Sequence, residues 1–135
     1  MATILLVEDE PVNQALVSRF LRNEGYDVLL AKDGLAGVKA AREQIPHLIV
    51  MDLGLPGVSG FEAARRIRIS RKTAHIPIIA LTGNTLAEDV IKAREAGCDA
   101  YETKPVVFKR LITKIRHLLK TDLPDVSLGR GTNAR

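Results

Sequence analysis

Acidic, hydroxyl and ammonium side chains follow several short apolar runs of this 135-residue chain. Glu8 and Asp9 come after the first run, and Asp52 closes the segment LIVMD. Thr82 and Lys104 follow two later runs. Clustered carboxylates repel one another unless a cation neutralises them, and an all-oxygen site with few ligands suits Mg²⁺, or Mn²⁺ in its place. With its charge screened, Asp52 could attack phosphorus as a nucleophile while Thr82 and Lys104 hold the phosphoryl oxygens.

Alternating strands and helices must bring these side chains together. Short apolar runs bounded by turn residues are typical of strands buried on both faces, and segments with helical spacing separate the runs. Parallel strands joined through helices form a doubly wound, three-layer α/β sandwich, so the sequence predicts a (βα)5 domain. The five expected strands are Ile4 to Val7, Val28 to Ala31, Leu48 to Met51, Ile78 to Leu81 and Ala100 to Glu102.

The carboxyl ends of the predicted strands form one edge of the sheet, the edge at which open α/β sheets place their chemistry. We therefore expect Asp52 to be lifted out of the core at the end of its strand. The tripeptide Asp9-Glu-Pro11 predicts the start of the first helix, and Gly25 and Gly97 stand where two helices should end.

Composition indicates a soluble globular protein, with 46% hydrophobic and 27% charged residues. No apolar run approaches the ~20 residues of a membrane-spanning helix, and the start lacks the features of a secretory signal, so we expect a cytoplasmic protein. One domain is expected over residues 1–120, followed by a flexible tail over residues 121–135, where the composition changes. The lone Cys98 excludes an internal disulfide and favours a small buried thiol.

The formal net charge of +4 would permit contact with nucleic acid. Lysine and arginine are scattered, however, and the one basic cluster, Ala64 to Lys72, is typical of a solvated face. The sequence has no zinc-finger spacing and only 4% aromatic residues for base stacking. We therefore expect no direct nucleic-acid binding. A separate expectation is that the protein is a monomer or weak dimer.

Four motifs together resemble the receiver domain of two-component response regulators. They are VEDE around Glu8 and Asp9, MDLGLPGVSG with Asp52, ALTGNT with Thr82, and ETKP with Lys104. The resemblance runs from about residue 3 to residue 120 and preserves the order and spacing of the family. It implies a flavodoxin-like sheet with strand order 2-1-3-4-5, which would place strands 1 and 3 side by side.

The resemblance also implies roles for these residues. Asp52 would accept a phosphoryl group from a histidine on a sensor kinase or a histidine phosphotransfer protein. Asp9, Asp52 and the backbone carbonyl of Gly54 would bind Mg²⁺, and Glu8 would act on it through water. Lys104 would pair with the phosphate.

A switch follows from the same resemblance. Thr82 would move toward the phosphoryl group, Tyr101 would swing inward, and a cis Lys104–Pro105 bond would aim the lysine at the site. Helix 1 would dock the phosphodonor, and the face formed by helix 4, strand 5 and helix 5 would bind a downstream protein. Gly54 and Asn84 occupy positions that tune phosphoryl lifetime in the family; the small Gly54 predicts an intermediate to short lifetime.

Other functions remain open on the sequence. An aspartyl-nucleophile phosphohydrolase would share Asp52 and Lys104, but its second aspartate would fall at Gly54. A flavodoxin-type cofactor binder needs a phosphate-cradling loop where Glu8 and Asp9 would repel phosphate. A degenerate receiver acting only through protein contacts is a third reading. The positions of the chain ends predict a stand-alone regulator, with a piece of a hybrid histidine kinase or longer regulator as the alternative.

Overall fold

Strands and helices alternate strictly along the chain. The computed structural model describes residues 2–83 and 87–122, the last two by their backbone only. The strands are β1 Thr3–Val7, β2 Asp27–Ala31, β3 Leu48–Asp52, β4 Ile78–Thr82 and β5 Ala100–Thr103. The helices are α1 Pro11–Asn23, α2 Gly34–Gln44, α3 Gly60–Ile69, α4 Ala87–Glu95 and α5 Phe108–Asp122.

The five strands form one parallel sheet in the order β2-β1-β3-β4-β5. This confirms the predicted (βα)5 doubly wound architecture and the strand order implied by the resemblance. Val7 of β1 lies beside Met51 of β3, and Asp52 of β3 lies beside Leu81 of β4. The residues that follow these positions therefore emerge together at one edge of the sheet.

Both faces of the sheet are buried, which explains why its central strands are continuous apolar runs. Successive side chains of a strand point to opposite faces, so alternate residues enter two separate cores. The core beneath α2 and α3 contains Leu5, Val7, Ile49, Met51 and Ile78. The core beneath α1 and α5 contains Ile4, Leu6, Leu48, Val50, Ile79 and Leu81.

The predicted helix boundaries hold at three places. α1 begins at Pro11 with Glu10 as its N-cap, whose carboxylate accepts a hydrogen bond from the Asn13 N–H at 2.8 Å. Gly25 and Gly97, which follow α1 and α4, have φ of 97° and 101°. A left-handed conformation of this kind favours glycine, so these residues end their helices as predicted.

Arg68 corrects the expectation of a solvated basic face. Its guanidinium is half-buried and donates hydrogen bonds to the carbonyls of Gly97 and Ile76, at 3.1 and 2.8 Å, and to the carboxylate of Asp99 at 3.0 Å. These bonds tie the end of α3 to the loops before β4 and β5, because a planar guanidinium can serve several acceptors at once. Arg65 is exposed, as expected.

Helix α5 reaches Asp122, two residues past the expected end of the domain. The rest of the predicted tail, residues 123–135, lies outside the described residues. Within residues 2–83 and 87–122, no helix is long and apolar enough to cross a membrane. Cys98 is partly buried against the core, and this burial raises the pKa of its thiol to about 11.

Candidate functional site

Asp52 stands at the centre of the carboxyl edge of the sheet. It is the last residue of β3, at the carboxyl end of the strand as expected, but its side chain is only 3% exposed, so it is buried at this edge and not open to solvent. Its burial is possible because both carboxylate oxygens have partners. Oδ1 accepts a hydrogen bond from the Gly54 N–H at 2.9 Å, and Oδ2 accepts one from Lys104 Nζ at 3.1 Å.

Lys104 reaches this carboxylate from the segment that follows β5. Its backbone N–H donates to the Thr82 carbonyl at 2.8 Å, and the Lys104–Pro105 peptide bond is cis, as the resemblance implied. The ammonium also lies 3.4 Å from Glu8 Oε1. Burial alone would lower the pKa of Lys104, but the hydrogen bond and charge of Asp52, with the charge of Glu8, outweigh it and raise the pKa. Lys104 is therefore a fixed cation between two acids.

Glu8 follows β1 and is buried. Its Oε2 accepts a hydrogen bond from the Glu10 N–H at 3.1 Å, whereas Oε1 has no hydrogen-bond partner among the described residues. Burial raises the pKa of this carboxyl and the charge of Asp52 raises it further, although the Glu10 N–H and Lys104 act in the opposite direction. Glu8 therefore sits in an environment that is short of positive charge.

The acidic residues meet closely enough to share a cation. One carboxylate oxygen from each of Glu8, Asp9 and Asp52 lies within 4.8 Å of the others. Asp9 is exposed, which leaves the cluster open to solvent. An all-oxygen donor set fits a hard divalent cation such as Mg²⁺, and it includes a buried Glu8 oxygen that accepts no hydrogen bond from the described residues. The predicted metal residues Glu8, Asp9 and Asp52 are thus brought together.

Two of the remaining predicted residues, Thr82 and Gly54, lie at the same edge of the sheet as this cluster. Thr82 is the buried last residue of β4, at the same edge of the sheet. Gly54 lies beside Asp52, and a Cβ added to it would be 3.6 Å from Oδ1. Tyr101 is 39% exposed, so its ring points outward here. Asn84 lies outside the described residues.

One constraint on the site is not visible in the sequence. Gly60, the first residue of α3, lies so close to the end of β3 that a Cβ on it would come within 2.2 Å of the Asp52 carbonyl oxygen. Any larger residue would push α3 away from the strand that carries the acid. The glycines of LGLPGVSG predict a loop, but nothing in their pattern singles out this close approach.

Comparison with families and curated proteins gives a consistent result. A family model for the response regulator receiver domain matches residues 4–116. The polar-differentiation response regulator DivK of Brucella ovis is 35% identical over 117 residues, which cover 87% of this chain and 95% of DivK. The DNA-binding dual master transcriptional regulator RpaA of Synechocystis is 39% identical over 120 residues, or 89% of this chain. This chain spans about half of RpaA, 50% of its length.

Solved structures agree. The receiver domain of the sensor histidine kinase PA1611 from Pseudomonas aeruginosa has a TM-score of 0.83 and 39% identity, covering 88% of this chain and 98% of that domain. That domain holds a magnesium ion coordinated in its active site cleft. The chemotaxis protein CheY4 of Vibrio cholerae has a TM-score of 0.83 and 27% identity, covering 87% of this chain and 98% of CheY4. From its motifs, its fold and these matches, the chain belongs to the response regulator receiver domain family.

Proposed function

We propose that this protein is a phosphoacceptor of a two-component phosphorelay and that Asp52 receives the phosphoryl group. The observation that carries the proposal is the position of Asp52 in the cluster. Its buried carboxylate contacts the Lys104 ammonium at 3.1 Å and has oxygens of Glu8 and Asp9 close by. A nucleophile beside a fixed cation and a site for a divalent metal is an arrangement suited to phosphoryl transfer.

In the proposed reaction, an Asp52 oxygen forms a bond to phosphorus as the bond from phosphorus to a histidine nitrogen of the donor breaks. The histidine nitrogen keeps the electron pair of that bond. Lys104 then pairs with the new phosphoryl oxygens, and the Thr82 hydroxyl donates to them. Asp9, Asp52 and the Gly54 carbonyl would hold Mg²⁺, with Glu8 acting through water; the metal would neutralise negative charge on the transferred group.

Phosphorylation adds a charge of about −1.5 to −2 and three acceptor oxygens, and so favours the conformation in which Thr82 and Lys104 approach them. We propose that Tyr101 turns inward in that state. The exposed ring and a groove of about 300 Å³ beside it, lined by residues that include Val90, Arg94 and Lys114, belong to the surface that would change. A downstream protein would bind this α4, β5 and α5 surface.

Helix α1 is proposed to dock the phosphodonor, a sensor kinase or a histidine phosphotransfer protein. Val12 and Leu16 are 62% and 51% exposed on the turns of α1 that lie next to the site. An apolar strip of this kind suits a helical partner. We further propose that residues 1–120 form the receiver and that the protein works in the cytoplasm as a monomer or weak dimer. It would not contact nucleic acid or a membrane directly.

Mass spectrometry of the intact protein tests the proposal. The wild-type protein, Asp52→Asn and Asp27→Asn are incubated with Mg²⁺ and either acetyl phosphate or phosphoramidate, with and without chelator. Asp27→Asn is the matched control, because Asp27 is an exposed aspartate at the amino end of strand β2, at the edge of the sheet opposite to Asp52. We expect one hydroxylamine-labile phosphoryl group on the wild type and on Asp27→Asn, none on Asp52→Asn, and none with chelator. A wild-type protein that takes no phosphoryl group from either donor would contradict the proposal.

A further inference from the structure

Gln14 lies one turn into α1, next to the acidic cluster. Its side chain is half-buried, and its Nε2 donates a hydrogen bond to the backbone carbonyl of Glu8 at 3.1 Å. This bond joins the helix directly to the residue at which the chain leaves β1. Glutamine is neutral, so Gln14 can orient the acidic pair without changing its charge.

The hydrogen bond from Gln14 completes a set that holds Glu8 from three sides. The Glu8 N–H donates to the Ala31 carbonyl at 3.0 Å, and the Glu8 carboxylate accepts from the Glu10 N–H at 3.1 Å. Without the amide of Gln14, the Glu8 carbonyl would be free to rotate with the peptide bond that follows it.

The peptide bond after Glu8 sets the position from which the Asp9 side chain starts. Because a peptide unit is planar, fixing the Glu8 carbonyl also fixes the Asp9 N–H and the point from which the Asp9 side chain leaves the backbone. Asp9 is exposed and faces repulsion from Glu8 and Asp52, which favours turning it away from the cluster.

We propose that Gln14 is a positioning residue for the metal site, acting through the Glu8 carbonyl to keep Asp9 directed toward Asp52. The inference rests on the proposed function, since it takes the acidic cluster to bind Mg²⁺. Groups that orient metal ligands from outside the first coordination shell change metal affinity by about 10- to 100-fold in known sites. A single neutral hydrogen bond to a backbone carbonyl belongs at the lower end of that range.

Direct titration of Mg²⁺ by calorimetry tests the inference. The test variant is Gln14→Met, which keeps the length and helix preference of glutamine but cannot donate a hydrogen bond. The matched control is Gln44→Met, the same change at an exposed residue that ends α2 at the other edge of the sheet. A second variant, Gln14→Asn, keeps an amide but shortens its reach. Thermal unfolding of every variant in chelator records the stability of the metal-free protein.

We expect Gln14→Met and Gln14→Asn to bind Mg²⁺ about tenfold more weakly than the wild type, with Gln44→Met unchanged. The melting temperature in chelator should change little, because the bond that is lost is partly exposed. A loss of metal-free stability with Mg²⁺ affinity within twofold of the wild type would overturn the inference and leave Gln14 as a helix fastener. A wild-type protein that binds no Mg²⁺ would overturn the metal site of the proposed function as well, so the two failures are distinguishable.

Discussion

Buried acids occur at two places among the described residues of this protein, and they are compensated in opposite ways. At the carboxyl edge of the sheet, Glu8 and Asp52 are buried together and share the single ammonium of Lys104. On β5, the carboxylate of Glu102 is 3% exposed and contacts two cations of α5. Those cations are Arg110, whose Nε lies 2.9 Å from Oε1, and Lys114, which bonds to Oε2.

The pKa values of the two glutamates show the difference. Burial raises the pKa of Glu8, and the charge of Asp52 adds to that shift. Burial acts on Glu102 in the same direction, but the hydrogen bonds from Lys114 and Arg110 outweigh it and lower the pKa. Burial of a carboxylate therefore does not by itself mark a functional site. The Glu8, Asp9 and Asp52 cluster, in which the acids outnumber the one ammonium of Lys104, is the one suited to a metal and a reaction. The Glu102 cluster is a satisfied contact between β5 and α5.

Replacing the lysine of each cluster with methionine should give the largest difference between the two clusters, in the rate of phosphorylation. Lys104→Met removes the cation that faces Asp52, so we expect the rate of phosphorylation to fall about 100-fold or more. Lys114→Met should leave this rate within twofold of the wild type, because Glu102 keeps its bond to Arg110. The rate is followed by intact mass during incubation with Mg²⁺ and acetyl phosphate.

Stability should respond less than the rate does. Lys114 is partly exposed, so its loss should lower the free energy of unfolding by about 1 kcal/mol. Equal losses of phosphorylation in the two lysine variants would show that both clusters serve the reaction and would contradict the distinction drawn between them.

Mg²⁺ should stabilise the protein only through the acidic cluster of Glu8, Asp9 and Asp52. A ligand at 100 times its dissociation constant adds about 2.7 kcal/mol to the free energy of unfolding. Asp9→Asn should lose most of this gain. In chelator it should be slightly more stable than the wild type, by under about 1 kcal/mol, since one repulsive charge is gone. Urea unfolding with Mg²⁺ and with chelator measures the gain from the metal and the stability of the metal-free protein. NaCl at matched ionic strength controls for the general effect of salt.

Glu102→Gln provides the control for that experiment. Its gain from Mg²⁺ should equal that of the wild type, because Glu102 belongs to the other cluster. A Mg²⁺ effect that survives Asp9→Asn but disappears in Glu102→Gln would reverse the assignment of the two clusters.

Removal of the charge on Glu102 should have a moderate, pH-dependent cost. Glu102→Gln should lower the free energy of unfolding by about 1 to 2 kcal/mol at pH 7, since both cations can turn toward water. The lowered pKa of Glu102 means that its stabilising effect is complete above the ordinary value of 4.5 and is lost as the pH falls through the folded-state pKa. Urea titrations of both proteins from pH 7 to 3 should therefore converge in acid. A difference that widens below pH 4.5 would contradict the ion-pair account.

The sequence predicted the sheet well because its central strands, β1, β3 and β4, are apolar on both faces. The first two strands end where predicted. Each of the other three predicted strands ends one residue too early, because a polar residue continues the hydrogen-bonded strand. Asp52, Thr82 and Thr103 are these residues. A polar side chain at a strand end interrupts the apolar run but leaves the backbone hydrogen bonds intact, so pattern alone places the boundary too soon.

The sequence could not reveal contacts that join distant segments through single side chains. Glu102 stands on an edge strand, and its partners come from a helix 8 and 12 residues later. Gln14 resembles any polar residue of an exposed helix turn until the Glu8 carbonyl is seen beside it. Arg68 belongs to a basic run, and only the folded loops show that its acceptors are carbonyls. Residue type and spacing identified the reacting groups, but not the side chains that hold them or balance their charge.

Gly54→Ala should have the smallest effect of these substitutions, a change in phosphoryl lifetime. It tests how open the acidic cluster is to water. Gly54 does not have a positive φ, so alanine can adopt its backbone conformation. A new Cβ would lie 3.6 Å from Asp52 Oδ1, which is an ordinary contact, so the fold should tolerate the substitution. The methyl group would narrow the approach of water to a phosphoryl group on Asp52. We expect the phosphoryl lifetime to lengthen about threefold, which corresponds to less than 1 kcal/mol in the barrier to hydrolysis.

The lifetime in Gly54→Ala is measured by intact mass after removal of the phosphodonor. Gly83→Ala is the control, because a Cβ at that residue meets nothing within 4 Å. An unchanged lifetime in Gly54→Ala would show that water reaches the phosphoryl group from another side. A wild-type phosphoryl group that persists for days would contradict the short to intermediate lifetime itself, since an open, solvent-facing cluster with an exposed Asp9 should admit the attacking water.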